Sequence, residues 1–124
     1  MRFASVRVVT GQFDTLVAFY ARLAEVEAVH LAPGFAEIRL PGATLAISST
    51  ELIDRFNGGA IIPRANRSAM LELEVDDVQA VADGVETIGA EIVQPPTTMP
   101  WGNVSMLLRD PDGAIVNIFA RPKA

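Results

Sequence analysis

The chain has 124 residues, enough for one domain that buries a core without disulfides or structural metal. Hydrophobic residues make up 50% and charged residues 20%, which excludes disorder, and no apolar run reaches the ~18 residues of a membrane span. Ten basic and fifteen acidic residues give a net charge of −5, which argues against nucleic-acid binding and weakly favours a cationic small molecule.

The N-terminal stretch MRFASVRVVT has no long apolar region followed by a small-residue cleavage site, as a signal peptide would have. The sequence contains no cysteine, so disulfides, thiolate metal ligands and a cysteine nucleophile are all excluded. We therefore expect a cytoplasmic protein.

The first half of the chain predicts one helix among several strands. Residues 3–9 are β-rich, and residues 14–23 place Leu16, Phe19 and Leu23 at helical spacing. Three apolar segments then follow, at 26–31, 35–40 and 43–48.

Residues 50–66 predict a connection, because they include Gly58, Gly59 and Pro63. Such a segment can fold over a pocket as a mobile lid or act only as a connector, and the sequence leaves both alternatives open.

The second half repeats the order of the first. Residues 69–75 alternate with strand period, and the following helical pattern has Asp77 as its N-cap and Gly89 as its stop. Apolar segments at 91–94, 103–109 and 114–120 complete this half.

The two halves are copies of one unit. An offset of 65 residues places Ser5 on Met70 and Arg7 on Glu72. In the first half, Gly42 at a turn is followed four residues later by Ala46. In the second half, Gly113 at a turn is followed four residues later by Asn117. The sequence thus predicts a single domain over 1–124 made of two βαβββ repeats, which must pair because each alone leaves one sheet face uncovered. Their approximate bounds are 1–49 and 67–121, with 50–66 as the connector.

Three motifs identify a family resemblance: AFY at 18–20, LEVDDV at 73–78, and WG at 101–102 followed by LLRDPDGAIVNIF at 107–119. Together with the duplicated unit they resemble the vicinal oxygen chelate superfamily, which includes glyoxalase I, extradiol dioxygenases, fosfomycin-resistance enzymes and bleomycin-resistance binding proteins. The resemblance implies an α+β fold with a concave mixed sheet, helices on the outer face, a ligand pocket on the concave face, and frequently a homodimer.

In the metal-dependent members, four ligands come from the first and last strands of each unit. The equivalent residues here are Ser5, Ala46, Met70 and Asn117. Alanine has no donor atom, a thioether suits copper(I), and the serine and asparagine oxygens are neutral. The only histidine is His30, so one chain cannot supply two histidine ligands. We expect the ancestral metal site to be vacated and no cofactor to be bound.

Strand alternation predicts which side chains face the cavity. We expect the ligand to contact a polar and aromatic set: Ser5, Arg7, Glu37, Arg39, Met70, Glu72, Trp101, Asn117 and Phe119. Arg7 and Glu72 either bind a charged ligand group or pair with each other, and both alternatives stay open. We expect Asn117 to offer its amide to a ligand or to Arg7.

Three further side chains have alternative interpretations. Trp101 either stacks on a flat ligand or covers the core at the rim. His30 is either a proton-transfer group or a structural histidine, and we favour the second. Met106 faces either the pocket or the helix layer, and we leave it out of the site.

Three functions are compatible with these observations. The first is a metal-free protein that sequesters a cationic or aromatic small molecule, such as an antibiotic or a toxin. The second is a lyase, isomerase or dioxygenase that uses Glu72 as its base or a relocated metal site. The third is a dimeric interaction module whose cavity is filled by its own side chains. We favour the first, and we expect a homodimer with no nucleic-acid or membrane partner.

Overall fold

The structure is a computed structural model that describes residues 1–123. The chain divides into two compact units, Met1–Asn66 and the residues from Arg67 onward. Among the described residues, no helix has both the length and the apolar character needed to cross a membrane.

The first unit contains one four-stranded sheet and two helices. Its strands lie in the order β1-β4-β3-β2, with β1 parallel to β4 and the other neighbours antiparallel. The elements are β1 (Val6–Thr10), α1 (Phe13–Ala24), β2 (Val29–Ala32), β3 (Phe35–Leu40), β4 (Ala43–Ser49) and α2 (Thr50–Asn57).

The second unit repeats this sheet topology. Its strands lie in the order β5-β8-β7-β6, with β5 parallel to β8 and the other neighbours antiparallel. The elements are β5 (Leu71–Glu74), α3 (Val78–Gly84), a 3₁₀ helix (Val85–Ile88), β6 (Glu91–Thr98), β7 (Val104–Arg109) and β8 (Ile115–Ala120). The predicted α+β fold of two βαβββ units is confirmed, and each unit has its own mixed sheet.

The strand register makes the two units equivalent at the residues that the sequence matched, which are Arg7 and Glu72 on the first strands and Ala46 and Asn117 on the last strands. Arg7 lies beside Ala46 in the first sheet, and Glu72 lies beside Asn117 in the second. The structure differs from the prediction at Ser5 and Met70, because regular strand pairing begins at Val6 and at Leu71. Ser5 and Met70 therefore precede their strands, where we had expected them on the strands.

Helix α1 covers one face of the first sheet. It contacts β3 and β4, and it buries Leu16, Val17, Phe19 and Tyr20. The strand residues of the same layer include Ile38 and Ile47, which are 1% and 0% exposed. Burying each of these side chains stabilises the fold by about 1.5–3 kcal/mol. The layer explains the helical spacing in the sequence.

The helical segment of the second unit has the predicted ends. The Asp77 side chain accepts a hydrogen bond from the N–H of Ala80 at 3.2 Å, as an N-cap does. Gly89 ends the segment with φ +72°, a conformation that glycine adopts without steric cost. The segment is not one continuous helix, since α3 ends at Gly84 and a 3₁₀ turn follows. Its interior glycine favours such a break.

Met106 belongs to the apolar layer of the second unit. It pairs with Ile118, and both are at most 1% exposed. In the same row Ile118 pairs with Leu73, so β5 contributes its leucines to this side of the sheet.

The first part of the predicted connector is an ordered helix. Ser49 caps α2 by accepting a hydrogen bond from the N–H of Leu52 at 3.1 Å. Ile53 is 0% exposed, and α2 contacts β4 and β1. We had predicted residues 50–66 as a connector, either a lid or a plain connection, and had predicted no helix there, because the single apolar turn before Gly58 and Gly59 gives a weak periodic signal. Phe56 and Ile62 are both 68% exposed.

Candidate functional site

In the second unit, a hydrogen bond joins the side chains of Asn117 and Glu72. These residues are register partners on the parallel strands β8 and β5. The Asn117 Nδ2 group donates to Glu72 Oε2 at 2.8 Å. Asn117 is only 8% exposed, and its Oδ1 atom has no hydrogen-bond partner among the described residues. The pair therefore presents one carboxylate and one unsatisfied amide oxygen.

Chemistry fixes the orientation of the Asn117 amide. An ionised carboxylate only accepts hydrogen bonds, so the amide nitrogen must face Glu72 and the oxygen must face away. A buried acceptor without a partner costs about 1–3 kcal/mol. A ligand that donates a hydrogen bond to Oδ1 removes this cost, which makes the atom a recognition point.

The turn before β8 holds this strand in place. Asp110 Oδ1 accepts hydrogen bonds from the N–H groups of Asp112 and Ala114, both at 2.9 Å. Gly113 takes a left-handed conformation with φ +86°, as the motif predicts. The turn sets the antiparallel register of β7 and β8, in which Leu107 pairs with Asn117.

A second acidic residue lies two positions along β5, but it is already paired. Arg121 Nε lies 3.1 Å from Glu74 Oε2, and its guanidinium carbon lies 5.8 Å from the centroid of the Phe119 ring. Glu72 differs, because none of the described residues of this unit forms an ion pair with it. Among the described residues of the unit, its hydrogen-bond partner is the neutral Asn117 amide. Of the two acidic residues on β5, Glu72 is therefore the one that remains available to a cation.

The equivalent face of the first unit carries basic and aromatic groups. Arg7 lies beside Ala46, and Ala46 lies beside Glu37 on β3. The Arg7 guanidinium lies over the ring of Phe35, with its carbon 5.5 Å from the ring centroid. Glu37 pairs with Arg39, whose Nη2 atom lies 2.8 Å from Oε1.

Sequence reasoning missed two residues of this face, Phe35 and Ser48. They are register partners, and Ser48 Oγ is buried without a hydrogen-bond partner among the described residues. Strand alternation gives the signal that could have found them, because they lie two positions from Glu37 and from Ala46, on the same side of the sheet.

Three other predicted side chains are exposed. Trp101 is 68% exposed in the turn between β6 and β7, and Met70 is 52% exposed. His30 is exposed on β2, and its ring lies 6.2 Å from that of Phe13 in an edge-on contact. Among the described residues, none of the three forms a hydrogen bond, an ion pair or a ring contact with another predicted ligand-binding residue. Their roles in ligand binding stay predictions.

The sequence model of the glyoxalase/bleomycin resistance protein/dioxygenase superfamily matches residues 2–118. The chain belongs to this superfamily. No curated protein matches the chain.

Solved structures of superfamily members share the fold. A glyoxalase/bleomycin resistance protein/dioxygenase from Nocardioides is 23% identical with a TM-score of 0.80, covering 100% of this chain and 85% of its own. A glyoxalase-related enzyme from Fulvimarina pelagi is 18% identical with a TM-score of 0.81, covering 98% and 88%. A superfamily enzyme from Burkholderia phytofirmans is 15% identical with a TM-score of 0.81, covering 94% and 96%.

The metal-binding positions of the superfamily do not fit a divalent ion in this chain. Ala46 is a buried methyl group, 2% exposed, and it has no donor atom. The Asn117 amide is hydrogen-bonded to Glu72, and it carries no charge to balance that of the metal. Among residues 1–123 no group of three or more histidine, cysteine, aspartate or glutamate side chains is arranged to hold a metal ion. These donors therefore do not form the superfamily's metal centre.

Proposed function

We propose that this protein is a metal-free small-molecule-binding member of the superfamily, whose ligand presents a protonated amine to Glu72 and Asn117. One observation carries the proposal: among the described residues, the buried Asn117 Oδ1 has no hydrogen-bond partner, and no cation of the unit pairs with the adjacent Glu72 carboxylate. These two acceptors, which belong to register partners on neighbouring strands, complement a group that has several N–H donors and a positive charge.

The surroundings of the pair favour a ligand with an apolar or aromatic body. Leu107 pairs with Asn117, and Phe119 lies two residues further along β8 on the same side of the sheet. Both side chains are partly buried. The net charge of −5 adds a weak long-range attraction for cations. An amine attached to an aromatic or aliphatic body is the ligand class that fits these groups.

We infer that binding serves to sequester such a compound, for instance an antibiotic or a toxin. The replacement of a metal-binding carboxylate by an amide removes the centre on which the metal-dependent members rely. What remains at that position is a pair of hydrogen-bond acceptors, which bind a ligand without changing it. We also expect a homodimer, which sedimentation equilibrium measures directly.

Isothermal titration calorimetry with three matched probes tests the proposal. Benzylammonium has a charge and N–H donors, benzyltrimethylammonium has a charge alone, and benzyl alcohol is neutral. We expect benzylammonium to bind most tightly, because only it can donate to both acceptors. Glu72→Gln should weaken its binding about tenfold or more, since a charged hydrogen bond contributes about 1.5–3 kcal/mol.

Glu74→Gln is the matched control, because it removes the same charge from the same strand while Glu74 is already paired with Arg121. Equal binding of the three probes, or equal losses in the two variants, would contradict the proposal. A thermal-shift series with zinc, nickel, manganese and iron(II) addresses the enzyme alternative. A ligand at 100 times its Kd stabilises by about 2.7 kcal/mol, so a clear response to one of these metals would overturn a metal-free function.

A further inference from the structure

The first unit holds a guanidinium that no acidic group of that unit neutralises. Arg7 is exposed, and its side chain crosses β4 beside the small Ala46 to reach Phe35 on β3. None of the described residues of this unit forms an ion pair with Arg7. A guanidinium stacked on a ring still directs its N–H donors outward in its own plane, where a ligand can accept from them.

Arg39, the other arginine of this face, is already paired with a carboxylate. Arg39 donates from Nε to Glu37 Oε1 at 2.9 Å, and its Nη2 atom lies 2.8 Å from the same oxygen. The one carboxylate of the β3 strand is thus engaged with the arginine of its own strand. Arg7 is left with an aromatic contact and an unpaired charge.

Ser48 adds a second donor next to the ring. It is the register partner of Phe35, it is 0% exposed, and its hydroxyl has no hydrogen-bond partner among the described residues. Buried hydroxyl groups in folded proteins are normally hydrogen-bonded. Because Ser48 is covered, a ligand oxygen reaches it only when the side chains that cover it shift. Arg7, which contacts the ring of Phe35, the register partner of Ser48, is exposed and has a long flexible side chain.

We propose that Arg7, Phe35 and Ser48 form a carboxylate-binding subsite on the first unit. The carboxylate lies in the plane of the Arg7 guanidinium and accepts two parallel hydrogen bonds, the arrangement that arginine forms most strongly. One of its oxygens also accepts from the Ser48 hydroxyl. A single arginine in a chain of net charge −5 suits a monoanion better than a phosphate or another multiply charged group. This proposal is independent of the proposed amine recognition, since it uses residues of the other unit and a ligand group of the opposite charge.

Titration of the full-length protein with benzoate, followed by ¹H–¹⁵N NMR, tests the subsite. Benzyl alcohol is the neutral probe of the same size, and inorganic phosphate is the competing anion. We expect benzoate to bind more tightly than both. Arg7→Gln should weaken benzoate binding about tenfold or more, because it removes a charged, bidentate donor. Ser48→Ala should weaken it by a smaller factor, because it removes one neutral hydrogen bond.

Arg55→Gln is the matched control, because it removes the same charge and the same kind of ring contact from the same unit, where the Arg55 guanidinium carbon lies 5.3 Å from the Phe56 ring centroid. Its benzoate affinity should equal that of the wild type. The proposal is overturned if benzoate causes no shifts at Arg7, Phe35 and Ser48, if phosphate binds more tightly, or if Arg55→Gln loses as much affinity as Arg7→Gln. If Ser48→Ala binds benzoate as tightly as the wild type does, the Ser48 hydroxyl is not part of the subsite. Failure here leaves the benzylammonium result intact, since the probes and variants differ.

Discussion

Replacing Asn117 by aspartate should destabilise the protein through the hydrogen bond to Glu72. The substitution sets two carboxylates against each other at about the 2.8 Å that separates Nδ2 from Oε2. Two unit charges at this distance repel by about 1.5 kcal/mol in bulk water and about 6 kcal/mol at an effective dielectric constant of 20. Glu72 is exposed and can turn into solvent, so the lower value applies. The lost hydrogen bond adds about 1 kcal/mol. We expect the free energy of unfolding to fall by about 2–3 kcal/mol near neutral pH.

Urea unfolding followed by circular dichroism measures this loss, and a double variant checks its cause. Glu72→Gln with Asn117→Asp reverses the roles, because the glutamine amide can donate to the new carboxylate. This variant should recover most of the lost stability. An Asn117→Asp protein as stable as the wild type near neutral pH, or a double variant no more stable than the single, would refute the reasoning.

The remaining predictions concern metal binding and stability. Combining Met70→His with Asn117→Asp should not create micromolar zinc or nickel binding in calorimetry. The other two ligand positions, Ser5 and Ala46, still lack suitable donors. Ser48→Ala should leave the urea midpoint unchanged or raise stability by up to about 1 kcal/mol, since its hydroxyl has no partner, whereas Ser49→Ala should cost about 1 kcal/mol by removing the α2 cap. Ile53→Ala should cost about 2–5 kcal/mol in the same assay, because the side chain is fully buried.

The repeat and the strand faces were predictable because they rest on period and offset. The 65-residue offset that aligns Arg7 with Glu72 depends only on the order of apolar residues, and it reappears in the strand register. The side of Met106 was left open by the sequence, and the structure places it in the buried apolar layer, on the opposite side of the sheet from Asn117. These features follow from backbone geometry, which a single sequence encodes directly.

The partners of individual side chains were not predictable in the same way. We expected Asn117 to serve a ligand or Arg7, whereas its amide donates to Glu72. The choice depends on which strand is the parallel neighbour of β8, a long-range pairing that local pattern does not specify. Likewise, the contact between Arg7 and Phe35 crosses an intervening strand and needs the small Ala46 between them. We did not predict helix α2, because one short apolar turn gives too weak a periodic signal in the sequence.

The parallel pairing of first and last strands has a consequence for how each unit folds. Val6 cannot pair until Leu45 has been synthesised, and Leu71 cannot pair until Val116 has been synthesised. Neither sheet can complete its parallel strand pair before then. On the ribosome, β1 therefore emerges long before the strand that pairs with it, while the hairpin between β3 and β4 can form at once. Closing such a long loop is slow compared with hairpin formation. During synthesis the newly made β1 stays unpaired until β4 emerges, so binding to a chaperone or early degradation would act on it first.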